Sequence, residues 1–103
     1  MSYNNIQGII GDWYSNQKPE LQREFITWIY SELNTRTVPL SFKKADDTIR
    51  NMNCTLQESI IPGDTGIPED IMNTTAENHV IVVWDTDINA WRSFRLDRLI
   101  NVE

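Results

Sequence analysis

The sequence predicts an α+β fold, with an N-terminal helical segment packed on a five-stranded antiparallel small β-barrel. Three observations carry this reading. Apolar residues recur at helical spacing up to about residue 36. The hydrophobic period then switches to two. The strands that follow are short and separated by tight turns or one long connection, a pattern that suits a closing sheet with few free edges. At 103 residues the chain holds one domain. Residues 1–36 are its helical part, and residues 37–103 its barrel with an acidic loop at 57–78.

Residues 3–15 form a short first helix in this reading. Ile6, Ile9, Ile10 and Trp13 share a face, while Gly8 and Gly11 weaken it. A break follows, where Ser15 or Asn16 can cap the next helix and Pro19 fits its first turn. From Pro19 to Asn34, Leu21, Phe25, Trp28, Ile29 and Leu33 form one stripe.

Residues 37–44 read as a strand, because Val38, Leu40 and Phe42 alternate with polar neighbours. Pro39 places the start of that strand at a sheet edge. Ala45 to Asp47 make a hairpin turn, with aspartates suited to positive φ. In the return strand, Thr48 to Leu56, the residues Met52, Cys54 and Leu56 share a face. Ile49 is out of phase with them, which predicts a bulge near Arg50 and Asn51. The connection 57–78 carries Pro62, Gly63, Gly66 and Pro68, with one helical turn expected at Pro68–Met72. Residues 79–85 are the most apolar strand and belong at the centre. A turn with Asp87 to Asn89 at its tip leads to the fourth strand, Trp91–Arg95. Leu96 to Arg98 turn tightly into a fifth, Ile100–Val102.

Composition excludes several classes of function. No apolar run reaches the ~18 residues that a membrane span needs. The start of the chain lacks a basic region followed by an apolar stretch, so no signal peptide is expected. A lone Cys54 suits a reducing cytoplasm. With one cysteine and one histidine, His79, a zinc site is not expected. The acids Asp85, Asp87, Asp64, Glu69 and Asp70 lack the spacing of a calcium loop and read as solvated loops. Cys54 reads as a small core residue and His79 as a surface residue, with no dyad between them. No enzyme, cofactor or metal is therefore expected.

The net charge of −6 is unevenly spread. Residues 57–79 hold five acids and no lysine or arginine. The last strands instead interleave Trp91, Phe94, Leu96, Leu99, Ile100 and Val102 with Arg92, Arg95 and Arg98. So acidic a chain is a poor general binder of nucleic acid, yet a local arginine patch can hold a small anion or a short single strand.

The terminal run WRSFRLDRL resembles the C-terminal end of WYL domains, whose pattern there is an aromatic, then R-x-F-R-L-D-R-[IL]. The hairpin FKKADDTIRNMNCTL is similar to the first hairpin of small stand-alone WYL-like proteins encoded largely by tailed phages. The resemblance spans roughly Val38 to Glu103 and implies an Sm-like/SH3-like barrel. It also implies nucleic-acid or nucleotide binding through basic residues, with Arg92, Arg95, Arg98 and Asp97 on the motif positions. The W-Y-L tripeptide itself is absent; V-V-W-D stands there.

Two functional expectations follow. In the first, Arg92, Arg95 and Arg98, helped by Lys43, Lys44, Arg50 and Trp91, bind a nucleotide-type ligand or single-stranded nucleic acid. Alternation places Trp91, Ser93 and Arg95 on one face of the strand and Arg92 with Phe94 on the other. At least one arginine is then expected to pair with an acid such as Asp97 or Asp85. In the second, the acidic loop docks on a host protein through Ile61, Asp64, Ile67, Glu69 and Asp70, aided by Ile60, Ile71 and Met72. Pairing of strand edges into a homo-oligomer is a third possibility, with the first and last strands as the edges. The expected setting is the cytoplasm, that of a host bacterium if the chain is phage-encoded.

Overall fold

The computed structural model describes residues 8–63 and 71–103. Two helices, α1 (Ile10–Ser15) and α2 (Pro19–Thr35), precede strands β1 (Val38–Lys43) and β2 (Ile49–Thr55). Then come α3 (Ile71–Asn78), β3 (Val80–Asp85), β4 (Ala90–Arg95), a single 3₁₀ turn at Leu96–Arg98, and β5 (Leu99–Val102). The strands form one antiparallel sheet in the order β4-β3-β2-β1-β5. The ladder does not close, so β4 and β5 are its two edges.

The chain's own chemistry explains these elements. Pro19 occupies the first turn of α2, where its missing N–H costs nothing. The helix buries Phe25, Ile26, Ile29, Tyr30 and Leu33. Leu21, expected on this stripe, lies in the first turn and is 41% exposed; Ile26 and Tyr30 widen the buried face instead. Asp47 takes φ 67° in the β1–β2 turn and Asn89 takes 53° in the β3–β4 turn, as short polar side chains permit. The Leu33 carbonyl at the end of α2 accepts from Leu56 N at 2.9 Å and Thr55 Oγ1 at 3.0 Å, tying the helix to the end of β2.

Two expectations about the strands need correction. The β1–β2 ladder is regular from Val38↔Cys54 to Lys43↔Ile49, so no bulge lies near Arg50. Ile49 is simply an exposed isoleucine. The irregularity lies in β5, where Ser41 faces Asn101 and Phe42 faces Leu99, leaving Ile100 without a partner. Nor is β1 an edge: it sits between β2 and β5. Pro39 is accommodated because β5 runs out beside it. Its carbonyl accepts from Glu103 N at 2.8 Å. The reciprocal donor that proline lacks is replaced by Arg36 Nη2, which bonds the Glu103 backbone oxygen at 2.9 Å.

The long connection also differs. Instead of one turn at Pro68–Met72, a two-turn helix covers Ile71–Asn78. Residues 68–70 lie outside the described residues. The sequence IMNTTAEN has little helical periodicity. A tertiary contact holds it: the Tyr30 and Thr75 hydroxyls meet at 2.8 Å in the interior. His79 then leaves the helix at φ 59°, its N–H on the Thr75 carbonyl at 2.7 Å. It is not a free surface residue, since its Nδ1 shares a 2.7 Å hydrogen bond with Tyr14 Oη.

The 3₁₀ turn packs against α1 so tightly that a Cβ on Gly11 would collide with the Asp97 carbonyl. The glycine that weakens α1 in the sequence is what lets α1 reach this turn. Gly11→Ala is expected to lower unfolding free energy by about 2 kcal/mol, as overpacking against backbone does. Urea denaturation would read this, and an unchanged midpoint would contradict the close approach.

Burial sets a second expectation. It pushes the Cys54 thiol up to about 12, helped by the charges of Asp85 and Asp87. It likewise pushes Tyr14 up to about 12, helped by Asp97. Tyr30 is raised too, by burial, against the lowering effect of its Thr75 bond. The folded state thus keeps protons that the unfolded chain releases. This contribution to stability is intact below the unfolded values, 9.0 for the thiol and 10.0 for the phenols, and is lost as pH climbs toward 12. Denaturation midpoints should drop as pH rises from about 9 to about 12, and the Cys54 thiol should resist alkylation until the protein unfolds.

Candidate functional site: a basic groove on the edge strand

Pairing of β5 with β1 brings the end of the first hairpin beside β4 and the 3₁₀ turn. A groove of about 460 Å³ opens there. Lys43, Lys44 and Arg50 from the hairpin line it, with Arg92, Arg95 and Arg98 from the C-terminal run. These are six of the chain's nine lysines and arginines, and no acid joins the lining. Arg92 and Arg95 alternate along β4, yet both line the groove; β4 is the sheet edge, and the groove wraps around it. Phe42 and Phe94 form part of the lining, stacked at 4.9 Å with planes 16° apart. Both are largely buried, so their edges meet the groove and their faces meet each other. Periodicity alone marks them as core, which is why their place at this site is not legible in the sequence.

The six cations differ in what already holds them. Arg95 makes a two-point fork on Asp97, with Nε–Oδ1 at 2.9 Å and Nη2–Oδ2 at 3.0 Å. This bonding raises the Arg95 pKa further. Arg98 braces the hairpin end. Its Nη2 donates to the Lys44 carbonyl at 2.9 Å and to Asp47 Oδ1 at 2.7 Å, and its Nε to the Lys43 carbonyl at 3.3 Å. Arg50 donates through Nη2 to Asp85 Oδ2 at 2.8 Å. The Asp85 side chain is fully buried. Arg50 Nε is also buried and has no acceptor among the described residues.

That leaves Arg92, Lys43 and Lys44 without an acid within ion-pair distance among the described residues. Lys44 does help hold the Asp46 carboxyl below its usual value, after the stronger hydrogen bonds from Thr48.

Trp91 does not join them. It lies on the other face of β4, edge-on to Trp84 at 5.4 Å, and is 37% exposed. Alternation along the strand sends it away from Arg92 and Phe94. Of the residues expected to dock a partner, Ile61 is 4% exposed and belongs to the core. Asp64, Ile67, Glu69 and Asp70 lie outside the described residues. Ile71 packs against the core, while Ile60 and Met72 are exposed. Cys54 is buried, with its thiol 3.6 Å from the Val38 carbonyl.

A five-stranded bent sheet ending in this strand, 3₁₀ turn and strand is matched by a family profile. The WYL_2 profile, described as an Sm-like SH3 β-barrel fold, covers residues 27–100. The chain belongs to the WYL_2 family. No curated protein and no solved structure matches it. The matched span begins inside α2, so the WYL_2 unit includes the half of that helix carrying Ile29, Tyr30 and Leu33 as well as the sheet. No helix among the described residues is long and apolar enough to cross a membrane.

The Arg50–Asp85 pair yields a test. Arg50→Ala strands a buried carboxylate and should cost about 3–5 kcal/mol. Adding Asp85→Asn should recover part of that loss. Equal stability of the single and double variants would show that the pair is not coupled.

Proposed function

We propose that this WYL_2 domain is a non-enzymatic binding module whose basic groove holds a nucleotide-type ligand or single-stranded nucleic acid. The observation that carries the reading is the concentration of six cations, three of them without an acid partner among the described residues, in one groove of an otherwise acidic chain. In this mechanism Arg92, Lys43 and Lys44 take phosphate oxygens, since none of them is in an ion pair among the described residues. Arg95 and Arg98 shape the groove more than they bind. The Arg92 guanidinium plane, in place of Trp91, offers a surface for a base. A role as a phage accessory protein in an infected bacterium belongs to the same reading and rests on the hairpin and terminal-strand resemblance.

A second reading is an acidic surface that binds and inhibits a host protein. Exposed Ile60 and Met72 at the ends of the acidic connection favour it. It ranks second because burial removes Ile61, and core packing Ile71, from that surface.

Trp91 neighbours Arg92 and makes intrinsic fluorescence a convenient readout. At low salt, a nucleoside triphosphate or short oligothymidylate should produce a saturable change that weakens steeply as salt rises. Arg92→Ala should weaken binding roughly tenfold with an unchanged melting temperature, because that side chain has no hydrogen-bond or ion-pair partner among the described residues. Absence of saturable binding at low salt would sink the reading.

A further inference from the structure

We propose that the groove takes one compact terminal phosphate cluster, as on a nucleoside di- or triphosphate or at a phosphorylated strand end, and not a running stretch of strand backbone. This rests on the groove being an anion site, as argued above. Three observations separate the two ligand shapes.

The first is how much charge is free. Asp85, Asp97 and Asp47 already engage Arg50, Arg95 and Arg98. The remaining cations come from two places only: Lys43 and Lys44, which continue β1 past Phe42, and Arg92, two residues before Phe94 on β4. The stacked Phe42–Phe94 pair joins those strands, so the free cations line one short groove. Three charges in one short groove match the charge of a terminal di- or triphosphate. A strand presents one charge per nucleotide, spread along its length.

The second is size. The volume, about 460 Å³, lies toward the small end of ligand pockets. It suits one nucleotide.

The third is what surrounds the groove. Strand-binding proteins continue a positive track along the backbone. Outside the groove the chain has only three cations, Lys18, Arg23 and Arg36, against fifteen acids, three of which pair with groove arginines. Arg36 is committed to Glu32 and the Glu103 backbone, and Arg23 to Asn73. Asp46 and Asp47 stand at the hairpin tip beside Lys44. The concavity on the other face of β1 and β2 is lined by Ser41, Asn51, Asn53, Asn101, Asp87 and Glu103 among others, with no cation. A strand leaving the groove in these directions meets repulsion.

The test is a length series on the full chain, at fixed low salt, followed by tryptophan fluorescence. The probes are a nucleoside triphosphate and oligothymidylates of two, four and twelve nucleotides, each with a 5′-phosphate or a 5′-hydroxyl. The expected result is that the triphosphate binds and that twelve nucleotides bind within about threefold of two, since extra phosphates find no cations. A 5′-phosphate that strengthens the oligonucleotides to at least the level of the triphosphate identifies a strand end as the source. Weaker binding of every strand identifies the free nucleotide. A Lys43→Ala/Arg92→Ala variant, folded by its melting curve, should lose the triphosphate.

A twelve-nucleotide 5′-hydroxyl strand binding about tenfold or more tightly than the dinucleotide would overturn the inference while leaving the anion site standing. Failure of every probe would remove the anion site as well.

Discussion

Asp85 is a buried carboxylate at the end of β3, an interior strand beside the β4 edge, and much of the site depends on keeping it satisfied. The β2–β3 ladder has only two residue pairs, Cys54↔Asp85 and Thr55↔Trp84. Beyond them side chains take over the cross-strand bonding. Asp85 Oδ2 receives Arg50 from β2, and its Oδ1 receives the Asp87 N–H that shapes the β3–β4 turn. Asp87 in turn accepts from the Asn53 backbone and side chain, and Thr86 donates twice to the Asn53 carbonyl. A fully buried charge is tolerated only when paired and bonded in this way. The bonding that stabilises Asp85 also fixes Arg50 at the groove and sets the turn from which β4 departs.

The open ladder gives that departure a consequence. In a closed barrel the β4 edge would be covered. Here β4 is free on one side, and the groove wraps over it. The cost is an exposed edge, and the alternating arginines with Trp91 place bulk and charge along it. Charge on an edge is a known defence against unwanted strand pairing. At Arg92 this edge role does not conflict with the anion binding proposed above, because its side chain has no hydrogen bond or ion pair among the described residues to lose.

The sequence was most informative where local rules decide the outcome. Pro19, the α2 stripe apart from Leu21, Asp47 in its turn and the period-two strands follow from nearest-neighbour chemistry and hold in the structure. Reading failed where an element's neighbour was unknown. Pro39 is interior because Arg36 substitutes for its missing N–H, a contact across sixty-odd residues. Ile49 mimicked a bulge because exposed isoleucines and bulges look alike in a pattern, whereas the real irregularity at Ile100 depends on pairing with β1. Ile61 and α3 were hidden because tertiary packing, not periodicity, determines them. The groove's cations were legible one by one. That they share a groove was not, since this needs the β1–β5 pairing and the edge position of β4.

The R-x-F-R-L-D-R run is better understood as a fold signature than as a binding motif. Arg95 and Asp97 lock the strand-to-turn corner with two short bonds. Arg98 carries that corner onto the first hairpin through two carbonyls and Asp47. Phe94, Leu96 and Leu99 fill the core between them. Every one of these side chains is occupied with holding β4, the 3₁₀ turn and β1 together. Any chain that builds this corner needs them, whatever it binds. The run's first arginine, Arg92, makes no such ion pair among the described residues, and neither do the two lysines that the corner draws up beside it. In the function proposed above those three side chains carry the binding, and the rest of the run builds the corner that presents them.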